Sequence, residues 1–434
     1  MNQPGTAPSR TSGFADRVCL LVCLGLALGL RLLVIWAHAS QLSVDRDAYL
    51  GIATNLAEGR GFATPNSSSP TAFRPPLYPL LLSLGLKLAT VPVTVATLNL
   101  LSGVLAVWLT ADLGRLLGLR SWRFAAAGLV AMDPLLVRYS AQPMTESLCT
   151  MLVAVWLWMQ VSDLPVLGRH PIWRATLIGI AFGLLVLVRP TFWPIAALCG
   201  LSWLILLRTN TTNAATRSKS RYLDLIMTSL GTGLVVSPWV IRNANVFGTL
   251  ILMTTHGGYT LILGNNPVFY REVVQQPWGT SWSDASQHDW EANLNSQMDQ
   301  EIGPTATELQ RDAWQSREAR QFMQTSLAEC VQASLHRIRS LWNTTPQGDA
   351  AAGVTSQLLH LVHWFYLTEL IAAAVGIIRV LFSSGRQRWM SMFLLIIAVQ
   401  SVHLFYWTNT RMRAPLTPAI VLFAAAACAR REQK

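Results

Sequence analysis

The chain has 434 residues, of which 52% are hydrophobic and only 13% charged, against about 25% charged in soluble domains. That composition excludes an ordinary soluble protein and reads as a polytopic membrane protein. The formal net charge of +11 then suits loops beside an anionic inner leaflet; no soluble block pairs a basic stripe with aromatics, so nucleic acid is not expected as a partner.

A polar N-terminus gives way to an apolar run over 18–38. It is too long for a signal-peptide core and is read as an uncleaved first span. Next comes "SVDRDAYLGIATNLAEGRGF", 43–62. Tyr49, Ile52, Ala53 and Leu56 have helical spacing, and Gly59 and Gly61 stop the helix. Ahead of it stand two carboxylates, Asp45 and Asp47. Either can cap the helix or do chemistry, and Asp47, directly before Ala48, fits a cap better. The run 77–91 is short, contains Lys87 and is bounded by Pro79 and Pro92, so it is expected to lie on the membrane as a juxtamembrane helix.

The remaining apolar runs are 94–114, 123–139, 144–162, 173–188, 191–207, 222–241, 357–382, 389–408 and 414–429, which with the first makes ten spans. The loops on the N-terminal side then carry Arg10 and Arg17; Arg115, Arg120 and Arg123; Arg169 and Arg174; Arg208, Arg217, Lys219 and Arg221; Arg386 and Arg388; and Arg430, Arg431 and Lys434. By the positive-inside rule that side is the cytoplasm. The expectation is an all-α polytopic membrane protein with about ten transmembrane helices, both ends cytoplasmic, external juxtamembrane helices and a small external mixed domain. Residues 1–241 form an N-terminal transmembrane module with an external loop 40–76, 242–356 the external domain, and 357–434 a C-terminal transmembrane module. Within 242–356, "FGTLILMTTHGGYTLILGNNP" reads as short extended pieces and loops. Leu309, Ala313, Ala319, Phe322, Met323, Leu327 and Val331 give 305–342 helical character.

Unusual polar residues near span ends fall mostly on the external side: Asp45 and Asp47, Arg138 and Tyr139, Glu146 in "QPMTES", Arg189 in "VRPTF", Arg242 and Asn243 in "SPWVIRN", and Arg411 and Arg413 in "NTRMRAP". Charges at membrane depth are costly and point to function, and simple anchoring arginines belong on the opposite face. Guanidinium forks bind phosphate, and a carboxylate can take a proton from an attacking hydroxyl. The combination suits group transfer from a lipid phosphate. The bland readings are that Glu146 complements a helix dipole, that His256 is a loop hydrogen-bonder and that Arg379 snorkels on the cytoplasmic side; Arg31 has no account. Cys19, Cys23, Cys149, Cys199 and Cys428 fall in apolar runs and Cys330 is alone, so no disulfide framework is read. His360, His363 and His403 find no third ligand. No cofactor is expected, a divalent metal being the lesser alternative.

"DRDAYLGIATNLAEGRGF…PTAFRPPLYPLLL", "YSAQPMTESL", "LVRPTF", "SPWVIRNANVFGTLILMTTHGGYTLILGNNP" and "TRMRAPLTPAIVLFAA" resemble, in order, landmarks of bacterial membrane glycosyltransferases of the protein mannosyltransferase type. This is the GT-C group that includes the lipid A aminoarabinose transferase. The resemblance implies an inner-membrane enzyme that uses a polyprenyl-phosphate-linked sugar donor and a glycan, lipid or protein acceptor, with its site facing away from the cytoplasm. Asp45 matches the catalytic acidic position. Arg46 stands where many relatives have a second acidic residue, and Asp47 follows. Glu146, Arg189, Arg242 and Arg413 match later positions. Tyr49, Arg74, Tyr139, His256 and Arg411 are counted with them as substrate contacts, and Asn265 and Asn266 as the turn that shapes the pocket. The implied mechanism is an inverting displacement in which Asp45 takes the proton, Asp47 caps the helix, and Arg242, Arg413 and Arg189 neutralise the leaving phosphate. The alternative is a transporter or flippase of lipid-linked sugars, which predicts mid-span ionisable residues and discontinuous helices.

Overall fold

A computed structural model of the chain describes residues 10–162, 171–209, 214–348, 351 and 353–429. Arg169, Arg430, Arg431 and Lys434, which entered the charge pattern, lie outside them. Among the described residues every regular element is a helix; an isolated bridge pairs Ala63 with Pro70. In chain order they are α1 (Arg10–Ala37), α2 (Tyr49–Ala57), α3 (Leu77–Leu86), α4 (Val91–Leu116), α5 (Trp122–Met132), α6 (Pro134–Tyr139), α7 (Glu146–Val161), α8 (Pro171–Val188), α9 (Trp193–Thr209), α10 (Ala214–Phe247), α11 (Gly257–Gly264), α12 (Pro267–Phe269), α13 (Asp284–Ile302), α14 (Glu308–Thr325), α15 (Leu327–Leu341), α16 (Ser356–Leu381), α17 (Met390–Val402) and α18 (Thr417–Cys428).

Among the described residues four helices are long and apolar enough to cross a membrane: Gly13–Ala37, Val91–Leu116, Tyr222–Phe247 and Ser356–Leu381. The ten-residue α3 reaches only about 15 Å at 1.5 Å per residue, half the hydrocarbon thickness. Close approach of backbones holds the bundle together. A Cβ on Gly231 of α10 would run into the Thr176 carbonyl of α8, and Thr232 Oγ1 donates across the same seam to the Gly179 carbonyl at 3.0 Å. Small residues at such seams let dispersion and weak polar contacts act where lipid supplies no hydrophobic drive.

The run 123–139, expected to be one continuous span, is broken at Asp133. Pro134 disfavours helical geometry in the residue before it, so α5 ends at Met132. Asp133 caps α6, its carboxylate accepting from Leu136 N at 2.9 Å. The Tyr366 hydroxyl donates to the same carboxylate (3.1 Å) and accepts from Leu135 N (3.1 Å). The break also gives Arg31 its role. Its fully buried guanidinium donates to the carbonyls of Ala131 (3.1 Å) and Val130 (3.4 Å), groups left open where α5 stops. Arg379 likewise donates to the Ala427 and Ala429 carbonyls at the end of α18, where the sequence suggested a snorkelling side chain.

Within 242–356 the chain runs irregularly over 248–256, and "GGYTLILG", expected as an extended piece, is the helix α11. Residues 261–333 gather a hydrophobic cluster of their own around Phe269, Tyr270, Trp282, Trp290, Met298 and Trp314. This helical unit, with the 40–76 loop and α3, forms a crown over one face of the bundle.

Candidate functional site

The 40–76 loop is shaped before it reaches any chemistry. The Asn55 amide on α2 donates to the carbonyls of Ala63, Thr64 and Ser67 at 3.2, 2.7 and 2.9 Å and accepts from Arg60 Nε at 2.8 Å. Arg242, near the end of α10, donates to the Thr71 and Phe62 carbonyls, both at 2.7 Å. From the crown, the Glu308 carboxylate accepts from Thr71 Oγ1 (2.8 Å), Ala72 N (3.0 Å) and the Thr255 hydroxyl. The strip 71–73 is thus held from both sides, and Arg74 is the next residue. Removing Glu308 orphans three donors at about 1–3 kcal/mol each when buried. Glu308→Ala is therefore expected to speed limited proteolysis of the 60–74 strip roughly ten-fold or more, at about 1.4 kcal/mol per ten-fold, while cleavage elsewhere is unchanged.

Arg74 begins a row of charges. Its Nε donates to the Asp47 carbonyl (2.7 Å), one terminal nitrogen to Asp47 Oδ1 (3.0 Å), and the other meets His256 Nε2 (3.1 Å). Arg411 lies 3.4 Å from Asp47 Oδ2 and, by its Nε, 3.3 Å from Glu146 Oε1; the second contact is an ion pair without hydrogen-bond alignment. Arg189 donates to Glu146 Oε1 (2.7 Å) and Thr145 Oγ1 (2.9 Å). His256, Arg74, Asp47, Arg411, Glu146 and Arg189 therefore alternate along one line. Three guanidiniums face two carboxylates, leaving one excess positive charge. Glu146 is fully buried and Asp47 is 22% exposed.

The groups outside the spanning helices respond accordingly. Burial would raise the Asp47 carboxyl, but Arg411 and Arg74 hold it below the usual carboxylate range. Burial and the neighbouring Arg74 pull His256 down to about 3, so its ring is neutral. Arginine only donates, hence Nε2 accepts and Nδ1 carries the proton. For Arg411 burial is outweighed by Glu146 and Asp47, which raise it further and keep it charged. Both shifts toward lower pKa make the site acid-labile. The His256 contribution is fully present above about 6.5, the unfolded value, and is lost as pH falls toward about 3. The Asp47 contribution is present above about 4 and lost below it. His256→Phe is expected to flatten the fall in melting temperature between about pH 6.5 and 4 and leave the steeper fall below it.

Asp45 sits elsewhere. Its exposed carboxylate accepts from Leu50 N (3.1 Å) and Gly51 N (2.7 Å), in the first turn of α2. These are the bonds a cap makes. Just after Asp47, Ala48 takes a left-handed conformation, φ +63°, at the entrance to the helix, with Asp45 on the helix amides and Asp47 beside the arginines. The cap differs from the expected one: Asp45, not Asp47, caps the helix, and Asp47 lies in the charged row.

Tyr49 and Tyr139 border the row. Arg74 stands 5.4 Å from the Tyr49 ring centroid, which packs edge-on against Tyr78 at 5.2 Å; Tyr139 is close enough to Arg411 and Glu146 to feel both charges. Four expected substrate contacts lie outside the row. Arg242 braces the loop. Arg413 is buried beneath, donating to the Leu341 (3.3 Å) and Asn343 (2.9 Å) carbonyls and stacking on Tyr366. Asn265 accepts from the Tyr270 hydroxyl (3.0 Å) and Arg337 (2.6 Å) inside the crown, and Asn266 caps α12. Sequence reading missed Thr145, Glu308 and Asp133; only Asp133 had a readable signal, an Asp-Pro pair at a helix start.

A divalent cation fits this donor set poorly. The Asp45 oxygens are occupied by helix amides, while those of Asp47 and the paired Glu146 oxygen already face guanidiniums that would repel a cation. Among the described residues no three His, Cys, Asp or Glu side chains converge.

Neither a protein-family model nor a curated protein matches the sequence. Solved structures do. The archaeal oligosaccharyltransferase AglB from Archaeoglobus fulgidus, in complex with an inhibitory peptide and a dolichol-phosphate, aligns over 96% of this chain at 14% identity with a TM-score of 0.54. The apo form of that organism's oligosaccharyltransferase aligns over 97% with a TM-score of 0.55. The chain has the GT-C fold. It spans about half the length of those structures, 50% and 51%. ArnT from Cupriavidus metallidurans aligns over 97% of this chain and 78% of its own at 13% identity, with a TM-score of 0.39, too low to bear on the fold. Within the GT-C fold the charged row lies under the crown, where the 40–76 loop meets the ends of α7, α8 and α18.

Proposed function

We propose that the chain is a membrane glycosyltransferase that moves a sugar from a polyprenyl-phosphate donor to an acceptor hydroxyl, with the crown on the non-cytoplasmic face of the inner membrane and both ends in the cytoplasm. The observation that carries this reading is the Arg74–Asp47–Arg411–Glu146–Arg189 row, whose excess of one positive charge matches the single negative charge of a lipid phosphodiester. The dolichol-phosphate bound by the archaeal oligosaccharyltransferase, a protein of the same fold, supports the ligand class.

In the reaction the acceptor oxygen attacks the anomeric carbon through an oxocarbenium-like state. The bond from that carbon to the phosphate oxygen breaks, and the electron pair leaves with polyprenyl phosphate. Arg74, Arg411 and Arg189 take up the charge that develops there. Asp47 receives the hydroxyl proton. The resting pairs make it a weak base; a phosphate drawing on Arg74 and Arg411 loosens their hold and raises its proton affinity at the moment it is needed. Attack opposite the leaving group inverts the anomeric centre. Asp45, engaged with two amides, keeps the helix in place. Polyprenyl phosphate should raise the melting temperature of the protein in detergent, polyprenol should not, and an equal response to both would contradict phosphate recognition.

One observation favours a transporter as the second reading: a helix broken at Asp133, with Arg31 and Glu369 buried nearby. Arg31 and Tyr366 are, however, spent on satisfying the helix ends at that break, and the charged row under the crown involves neither of them. A transporter would bind the donor without releasing polyprenyl phosphate.

A further inference from the structure

Helix α15, 327–341, presents three distinct sides. Cys330, Ala333, Arg337, Ser340 and Leu341 are buried. Leu327, Val331 and Leu335, spaced i, i+4, i+8, are 69%, 62% and 62% exposed. Gln332 and Arg339 form a third, polar side with His336. An apolar stripe that long, left bare on a helix which already has a packed side, calls for a covering. Its neighbours say where it lies. Ser334 Oγ and Arg337 donate to the Leu404 carbonyl just past α17, at 2.8 and 2.6 Å. Trp342 Nε1 donates to Gln400 on α17 at 2.7 Å, and Thr344 shares a 2.8 Å hydrogen bond with His363 on α16. The helix therefore lies across the crown-side ends of α16 and α17. The N-terminal half of α16, whose first turns His363 ties to the segment after α15, also carries bare apolar residues, Leu358, Leu361 and Trp364 at 50%, 67% and 60% exposed, a surface that lipid covers if α16 spans.

We infer that α15 is an interfacial helix that rests its Leu327–Val331–Leu335 stripe in the leaflet beneath the crown. A helix of this kind sinks its apolar side about 5–10 Å into the boundary between head groups and acyl chains and keeps its polar side in water. Seating it fixes more than itself. The Leu341 carbonyl at its end holds Arg413, two residues from Arg411, so the depth of α15 sets the height of the charged row at the level of lipid phosphates. The inference concerns membrane seating and does not depend on the reaction.

An environment-sensitive fluorescent amino acid, encoded at position 331 in the full chain in phosphatidylcholine nanodiscs, tests it, with position 332 on the polar side as the control. Lipids brominated on shallow acyl carbons should quench the probe at 331 several-fold more than at 332, and aqueous iodide should show the reverse order. Equal iodide quenching at both positions would place the stripe in water and overturn the inference. Protection of 331 from both quenchers would mean that protein covers the stripe, and would overturn it as well. Both positions are exposed, so the probe leaves the packed side intact, and a probe at 335 should repeat the 331 result.

Discussion

Asp47→Asn is expected to lower transfer by about 10²–10⁴-fold, the usual worth of a positioned acid or base, with the folded protein still in the membrane. Asn keeps the shape and a partner for Arg74, but it cannot take a proton and it removes one of the two negative charges in the row. Asp45→Ala should behave differently. It removes the acceptor for Leu50 N and Gly51 N, costs about 1 kcal/mol as lost caps do, and changes turnover only a few-fold. Turnover and melting temperature measured on both variants separate the roles. Retained transfer in Asp47→Asn with loss in Asp45→Ala would return the base to Asp45.

The second large effect is at Arg411, whose side chain touches both carboxylates of the row. Removing one partner of a buried ion pair costs about 3–5 kcal/mol, because the other charge stays buried without compensation. Glu146 is fully buried but keeps Arg189 at 2.7 Å, so the loss falls below that full figure, and Asp47 is partly exposed and contributes less. Arg411→Ala should therefore unfold at clearly lower denaturant concentration and lose transfer. Adding Glu146→Gln should restore part of the stability but not the transfer, because the neutral side chain no longer needs the cation. Additive losses in the double variant would contradict a shared electrostatic contact. Arg411→Lys should stabilise better than Ala but leave transfer low, since a point charge cannot serve two carboxylates at once.

Much of this arrangement is visible in the sequence, because membrane constraints write themselves into composition. Apolar runs, proline boundaries and the placement of Arg place the short helix α3 and bring Glu146, Arg189 and Arg411 to one region before any coordinates are seen. The features that stay hidden depend on contacts between distant segments or on a single backbone angle. Nothing in an alanine announces φ +63° at Ala48, the residue that joins Asp47 to the helix Asp45 caps. Arg242 and Arg74 both look like phosphate ligands in isolation. Only the fold shows that Arg242 spends its donors on the Phe62 and Thr71 carbonyls, while Arg74 reaches the row. Arg31 looked like an unexplained charge in a span until the break at Asp133 supplied open carbonyls. The expected extended pieces near "THGGYTLILG" fail for a related reason: Gly258 packs its backbone against α14, where a Cβ would meet the Asp312 carbonyl, and this tertiary contact favours a helix that local composition does not.

The most direct measurement is polyprenyl phosphate released by the purified, reconstituted protein from a panel of polyprenyl-phosphate sugars, with and without a hydroxyl acceptor. Acceptor-dependent release from at least one donor, abolished in Asp47→Asn, is the predicted result. Binding of the panel with no release from any donor would contradict a glycosyltransferase and leave a carrier of lipid-linked sugars in its place.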